Sequence, residues 1–450
     1  MKKIFTTLLL LSISLVQLWA APVDRTKALQ AAQAFLASKG IALKTNLNTA
    51  YRAPRKGAPA QSQAASYYIF ANGQDGGFVV VSGDDRTPAI LGYSDSGTFD
   101  ESNMPDNMRA WLQTYADQIE ALDSQADKVT VRKAKSRKAS QATSHSVAPM
   151  LTTTWDQGTP YNNLCPDHQS GEKTVTGCVA TAMAQMMYHH RAASATSLLK
   201  ATDAYTTQSV SISVPSYPAG SPINWNDMID DYSKGYTEAQ GTAVAQLMAY
   251  VGSALHMDYN IGENGGSGAA PEQMAYALKQ HFGYDASTKL IYRNSYDIES
   301  WEKRIYDELQ ANCPVVYGGS SSKGGHAFVI DGFDGDELFH VNWGWSGQSN
   351  GYFLLSILNP NNTTGIGASS SSDGYSIEQA ALVGARPATT STTFHVPELS
   401  AQPNNVENGN IHYTFANIST KNMYSDLGIG YIDSNNNIVR LKNKGYDFQF

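Results

Sequence analysis

Three cysteines stand in this 450-residue chain, at positions 165, 178 and 313, and one has the neighbourhood of a nucleophile. In Thr176-Gly177-Cys178-Val179-Ala180-Thr181-Ala182-Met183, a glycine closes a loop and an Ala- and Met-rich helix begins at the cysteine. A sulfur at a helix N-terminus meets unpaired N–H groups and the positive end of the macrodipole, which favour the thiolate. The thiolate is the nucleophilic form, so the position suits covalent catalysis. A buried cysteine opening an amphipathic helix has the same local signature. A second segment, Gly324-Gly325-His326-Ala327-Phe328-Val329-Ile330-Asp331-Gly332, sets an imidazole at the mouth of an apolar run that predicts a buried strand. The third, His340-Val341-Asn342-Trp343-Gly344-Trp345, falls on the next predicted strand, after a turn at Asp334-Gly335-Asp336. Sequential strands usually pair, so Asn342 and Trp343 are expected beside His326.

The elements that must hold these residues follow from periodicity. A helix over 24–40, strands over 67–70, 78–82 and 90–93, and a helix from about Pro105 predict a small α+β domain with its own core. Lys128, Arg132, Lys133, Lys135, Arg137 and Lys138 then bring six positive charges without an acid, which reads as a solvated linker open to cleavage. Beyond Pro149, helices are expected over 178–190, 237–255, 271–281 and 301–311. Strands follow over 314–318, 327–331, 338–345, 352–357 and 379–384. Helices first and strands later argue α+β with an antiparallel sheet. Past residue 387, alternating segments split by Asn-rich turns read as the start of a β-sandwich that ends too soon to close.

Composition narrows the function classes. With 42% hydrophobic and 16% charged residues the chain is neither disordered nor collagenous. The net charge of −8 argues against general nucleic-acid binding. It is unevenly spread: residues 1–138 carry 17 basic and 12 acidic side chains, the remainder 15 and 28. Lys2, Lys3, the apolar run to Leu18 and small residues at 20–21 read as a signal peptide, so an exported protein without a membrane span is expected. Three cysteines make no disulfide framework. Cys165 with His168 lacks the second half of a zinc site. The Asp334 and Asp433 turns lack the spacing of calcium loops. Neither a metal nor another cofactor is called for.

Cysteine first, histidine 148 residues later and an amide with tryptophans after it is the order and rough spacing of papain-like peptidases. The chain resembles one branch of them, the streptopain-like cysteine peptidases of bacteria. In the body the likeness rests on Trp155-Asp156-Gln157 and on the Cys178, His326 and Asn342 segments. In the front part it rests on Gly77-Phe78-Val79-Val80-Val81-Ser82-Gly83-Asp84-Asp85-Arg86 and Ile90-Leu91-Gly92-Tyr93-Ser94. The resemblance implies a two-lobed papain-like catalytic domain over 146–387, with a helical lobe and an antiparallel sheet lobe. Before it would stand a signal peptide (1–20) and an inhibitory propeptide (21–145, linker 126–145), and after it a β-rich segment (388–450). It implies Cys178 as nucleophile, His326 as general base and then acid, and Gln157 as oxyanion donor. Ser267, Gly325 and Trp345 would lie beside the substrate. Papain itself has Asn-Ser-Trp-Gly where this chain has Asn342-Trp343. Strand neighbours face opposite ways, so Trp343 is expected to pack on or orient His326 while Asn342 holds nearby backbone.

The expected partners are protein substrates and the chain's own propeptide. Attraction between a basic front and an acidic body is expected to help hold the two together, in a salt-sensitive way. Two other readings use the same sequence features: a transglutaminase-like or peptide-ligating acyl transferase, and an inactive adhesin or binding module.

Overall fold

The computed structural model describes residues 22–56, 64–124, 129–131, 145–262, 265–293, 296–321, 324–360 and 379–388, and strand segments between 399 and 449. The expected signal peptide and most of the basic linker lie outside the described residues.

Helix α1 (Arg25–Ser38) opens where Asp24 accepts the Lys27 N–H at 2.9 Å, and it buries Ala28, Ala32 and Leu36. Strands β1 (Asn48–Pro54), β2 (Ala65–Ala71), β3 (Phe78–Ser82) and β4 (Ile90–Ser94) form an antiparallel meander under it. The first of these falls in a stretch that the sequence reading left as polar connection. Helix α2 (Asp106–Ser124) follows, then β5 (Val129–Val131).

The acidic body begins with α3 (Cys178–His189). Short strands β6 (Tyr205–Thr206) and β7 (Ser213–Val214) and helices α4 (Glu238–Ala254) and α5 (Gln273–His281) come next. Thr237 and Gln240 close a reciprocal capping box on α4, which fixes its start. Strand β8 (Lys289–Tyr292), helix α6 (Ile298–Gln310) and strands β9 (Val315–Ser321), β10 (Gly324–Phe333), β11 (Phe339–Asn342), β12 (Gly351–Phe353), β13 (Leu358–Pro360) and β14 (Gln379–Val383) complete it. The strands β15 (Leu399–Glu407) and β16 (Asn410–Asn417) pair antiparallel further on, as do two shorter pairs up to Gln449.

Ten strands form one sheet, in the order β1-β2-β3-β4-β12-β11-β10-β9-β14-β8. The seam between front and body is the β4–β12 pair, Tyr93 opposite Tyr352 and Gly92 opposite Phe353. The front domain therefore does not have a core of its own. Trp111 and Tyr115 of α2 share one apolar cluster with Tyr317, Phe328, Trp343 and Phe353 of the body. Small front domains bury too little surface alone, and the body supplies the remainder. On the other sheet face a second cluster packs α3, α4 and α5 against Ala327 and Val329.

Strand alternation decides which side each β10 residue serves. Ala327 and Val329 face the helices, and Phe328 and Ile330 face the cluster under α2. His326 is in phase with Phe328.

Candidate active site

Cys178 is the first residue of α3, directly after Gly177 at φ +85°. Two constraints make glycine necessary there. L-residues rarely adopt that φ, and a Cβ would stand 2.8 Å from Met257 Sδ and 2.9 Å from the Ser267 carbonyl. The sulfur accepts the Ala327 N–H at 3.4 Å, so the nucleophile helix and the histidine strand meet at this atom. Burial pushes the Cys178 thiol above its ordinary range, against backbone N–H groups of Ala327, Val179 and Cys178 itself that pull it down. The helix-end stabilisation expected from sequence is thus present but outweighed while the site is covered.

Helix α2 packs on the strands beside the site. Asn107 is buried and donates its Nδ2 to the carbonyls of Ala327, at 3.4 Å, and of Trp343. One turn on, the Trp111 ring meets Phe328 at 5.4 Å and Tyr317 at 6.0 Å. A further turn on, Tyr115 donates its hydroxyl to Leu91 O at 3.0 Å on the front side and Leu354 O at 2.5 Å on the body side. Gln118 Oε1 accepts the Ile357 N–H at 2.9 Å. One face of α2 therefore grips the strands that carry the histidine and the tryptophan.

His326 lies under the same helix. Burial lowers its pKa below the usual imidazole value, and Asp106, in the first turn of α2, pulls it back up. No hydrogen bond joins the imidazole to Cys178 Sγ among the described residues. Burial disfavours the charged form of each group in this arrangement.

The remaining expected residues take varied positions. The Gln157 carbonyl accepts the Thr176 N–H at 3.2 Å, which ties its backbone two residues before the nucleophile. Asn342 is buried and accepts from Gly344 N at 3.0 Å and from Gln185 Nε2 at 3.3 Å, while donating to Thr153 O at 2.8 Å. None of these bonds goes to His326. Trp343 packs on Phe328 at 4.9 Å and Phe353 at 5.2 Å, and its indole N–H reaches Ser349 O at 2.9 Å. Strand β11 stops at Asn342 and Gly344 turns at φ +68°. The alternation argued over 338–345 therefore does not extend to Trp345, which is partly buried beyond the turn.

Ser267 is buried, and its hydroxyl is already engaged: it donates to Val175 O at 2.7 Å and accepts Asn260 N–H at 2.9 Å. It ties Asn260 to Val175, three residues before Cys178. Gly325 pairs with Ser320 and is exposed at the mouth of the β9–β10 hairpin.

The other two thiols are buried and free, and burial pushes Cys165 up to about 12. His168 is exposed and bonded to Ser170 at 2.9 Å. Among the described residues no group of three or more His, Cys, Asp or Glu could hold a metal, and no helix is long and apolar enough to cross a membrane. Sequence reasoning missed two residues that matter here, Asn107 and Gln185. For Gln185 a signal existed, an amide inside a run of Ala and Met; for Asn107 there was none.

A helix-tip thiol, a histidine on the strand that touches it, and an N-terminal domain built into the same sheet define a cysteine-type peptidase with an inhibitor-like front domain. The pattern of the Peptidase C10 family matches residues 155–353, and that of the Spi protease inhibitor matches residues 20–119. Streptopain of Streptococcus pyogenes is 37% identical over 341 residues, covering 72% of this chain and 81% of that protein. The thiol protease/hemagglutinin PrtT of Porphyromonas gingivalis is 35% identical over 413 residues. That match covers 88% of this chain and only 46% of PrtT, so the chain spans about half the length of that relative. The solved structure of Prevotella intermedia prointerpain A superposes with a TM-score of 0.61 at 32% identity, over 73% of this chain and 98% of that one. The chain belongs to the Peptidase C10 family.

Proposed function

We propose that the chain is the zymogen of a secreted cysteine endopeptidase, held inactive by residues 21–145 acting as an intramolecular propeptide. The observation that carries the reading is the meeting of Cys178 Sγ with the backbone N–H beside His326, with α2 of the front domain packed on the same strand. When α2 leaves, His326 turns to the thiol and takes its proton. The sulfur attacks the peptide carbonyl, and the S–C bond forms as the carbonyl electrons move onto oxygen. Gln157 and the Cys178 N–H stabilise that oxyanion. The imidazolium protonates the amine as the C–N bond breaks. Water, deprotonated by His326, then opens the thioester and returns the thiol.

Incubation of the full chain and a Cys178→Ala variant with a denatured protein, each after brief tryptic cleavage and inhibition of the trypsin, tests the assignment. The wild type should cut it, giving new carboxylates, while the variant leaves it intact. Equal cutting by both overturns the reading. Capture of an added amine in place of water assigns the acyl-transferase alternative, and no turnover by wild type after removal of residues 21–145 assigns the binding-module alternative.

A further inference from the structure

Gln185 lies seven residues after Cys178, two turns along the nucleophile helix, and is wholly buried. A buried amide among Ala and Met side chains is costly unless its hydrogen bonds are made. Here its bonds are made, and each goes to a segment of the catalytic site. Oε1 accepts Thr153 Oγ1 at 2.8 Å and Trp155 N at 3.4 Å, and Nε2 donates to Asn342 Oδ1 at 3.3 Å. Asn342 completes the ring by donating to Thr153 O at 2.8 Å and accepting Gly344 N at 3.0 Å.

Two amides thus join α3, the 153–157 segment that ends in Gln157, and the turn after β11. A second arm runs on from the same turn. Ser346 N–H donates to Trp155 O at 3.2 Å, and Ser346 Oγ donates to Asp156 Oδ2 at 2.5 Å. The other oxygen of Asp156 accepts the Gln157 N–H at 2.5 Å, and Gln157 O receives Thr176 N–H at 3.2 Å. The turn sits so close to α3 that a Cβ at Gly344 would lie 3.2 Å from Thr181 Cγ2 and 3.5 Å from Gln185 Nε2. The backbone on both sides of Gln157 is therefore fixed from the helix that carries the nucleophile.

We propose that Gln185 is a positioning residue for the oxyanion site: acting through Thr153, Trp155 and Asn342, it sets Gln157 at its distance from Cys178. The proposal rests on the oxyanion role given to Gln157 above. Gln185→Met keeps the length of the side chain and removes all three hydrogen bonds. Gln185→Glu keeps an acceptor for Thr153 and Trp155 and loses only the donor to Asn342.

The test compares the full-length chain and its variants, each activated by brief tryptic cleavage, with rates expressed per thiol titrated by an irreversible reagent. Gln185→Met should lower kcat by about 10- to 100-fold, because a misplacement of about 1 Å costs up to about 10²-fold. KM should stay within about twofold. Alkylation of Cys178 by iodoacetamide needs no oxyanion site and should also stay within about twofold. Gln185→Glu should recover most of kcat, and it carries the test if the Met variant does not fold. In a Gln157→Ala background, Gln185→Met should cost no more than about twofold further.

If kcat and alkylation fall together, or if the two substitutions multiply, Gln185 is only part of the packing and the proposal is overturned. A Gln157→Ala variant with unchanged kcat would instead remove the oxyanion assignment on which it rests.

Discussion

Gly351→Ala should unlock the zymogen without touching the enzyme. Gly351 begins β12, and the three atoms nearest to an added Cβ all belong to the front domain: Tyr93 O at 2.4 Å, then Ser94 Cβ and Cα at 3.1 and 3.2 Å. Real Cβ contacts stay beyond about 3.0 Å, so the seam must open by about 0.6 Å. Gly351 does not have a positive φ, so alanine meets no backbone strain. The bonds at risk flank the clash: Leu354 N–H to Leu91 O at 3.0 Å and Ser94 Oγ to Asn350 O at 2.8 Å. At about 1 kcal/mol net each, their loss weakens the closed state by about 2 kcal/mol, within the range typical of overpacking. With about 1.4 kcal/mol per tenfold, the open fraction rises about 30-fold.

Cys178 reports on opening, because the other two thiols are buried. Alkylation of Cys178 in still-uncleaved chain, followed by mass spectrometry, should accelerate by the same factor, since reaction through rapid opening tracks the open population. Gly92→Ala, whose Cβ would stand 2.4 Å from Phe353 Cδ1 across the seam, should act likewise from the other side. Wild-type alkylation in both variants would refute the reasoning, and so would a loss of kcat in activated Gly351→Ala.

Asn107→Ala removes the donor that holds the Ala327 and Trp343 carbonyls and leaves both buried. Alkylation of the intact chain should rise by about 5- to 150-fold, the equivalent of about 1–3 kcal/mol. Among the described residues, Lys39 makes ion pairs across the seam. Lys39 reaches Asp334 at 2.8 Å and Asp336 at 3.0 Å, and only the first carboxylate is buried. Lys39→Ala should cost at most about 1 kcal/mol of closure and flatten the salt dependence of alkylation. These partners raise the Lys39 pKa, so its contribution is complete below about 10.5 and fades only above that.

Latency itself should weaken as the pH falls below about 6.5. His326 is depressed by burial, so below its ordinary 6.5 the freed imidazole gains a proton that the closed one refuses. Hydrogen exchange of the Leu354 amide at the seam, corrected for intrinsic rate, should quicken as the pH drops below that value. Steady strengthening of protection into acid would contradict the account.

Local signals in the sequence were read well where one residue type had one task. The glycine before Cys178 matches the geometry that the turn requires, and α1 and α4 each begin one residue after the expected starts at 24 and 237. The apolar run over 327–331 predicts a buried strand, and only the fold shows that it serves two cores, Ala327 and Val329 on one side and Phe328 and Ile330 on the other. The strand over 338–345 was drawn too long, because the positive φ of Gly344 ends the pleat and no periodicity records it. Strand β1 was missed because Asn48–Pro54 has a single buried residue and no apolar pattern to read.

By itself the sequence placed a cysteine at a helix tip and, after it, a histidine at the mouth of a strand, since such positions are set by near neighbours. Only the tertiary structure decided that front and body share one sheet and one core. It also packed α2 on the strand that carries His326, and gave the tasks of Asn107 and Gln185 to partners 220 and 157 residues away. Hydrogen bonds over such separations depend on where the chain returns in space, which residue types and spacing do not encode. The state of the thiol shows the difference most directly: the helix end favours ionisation, but burial in the folded chain overrides it.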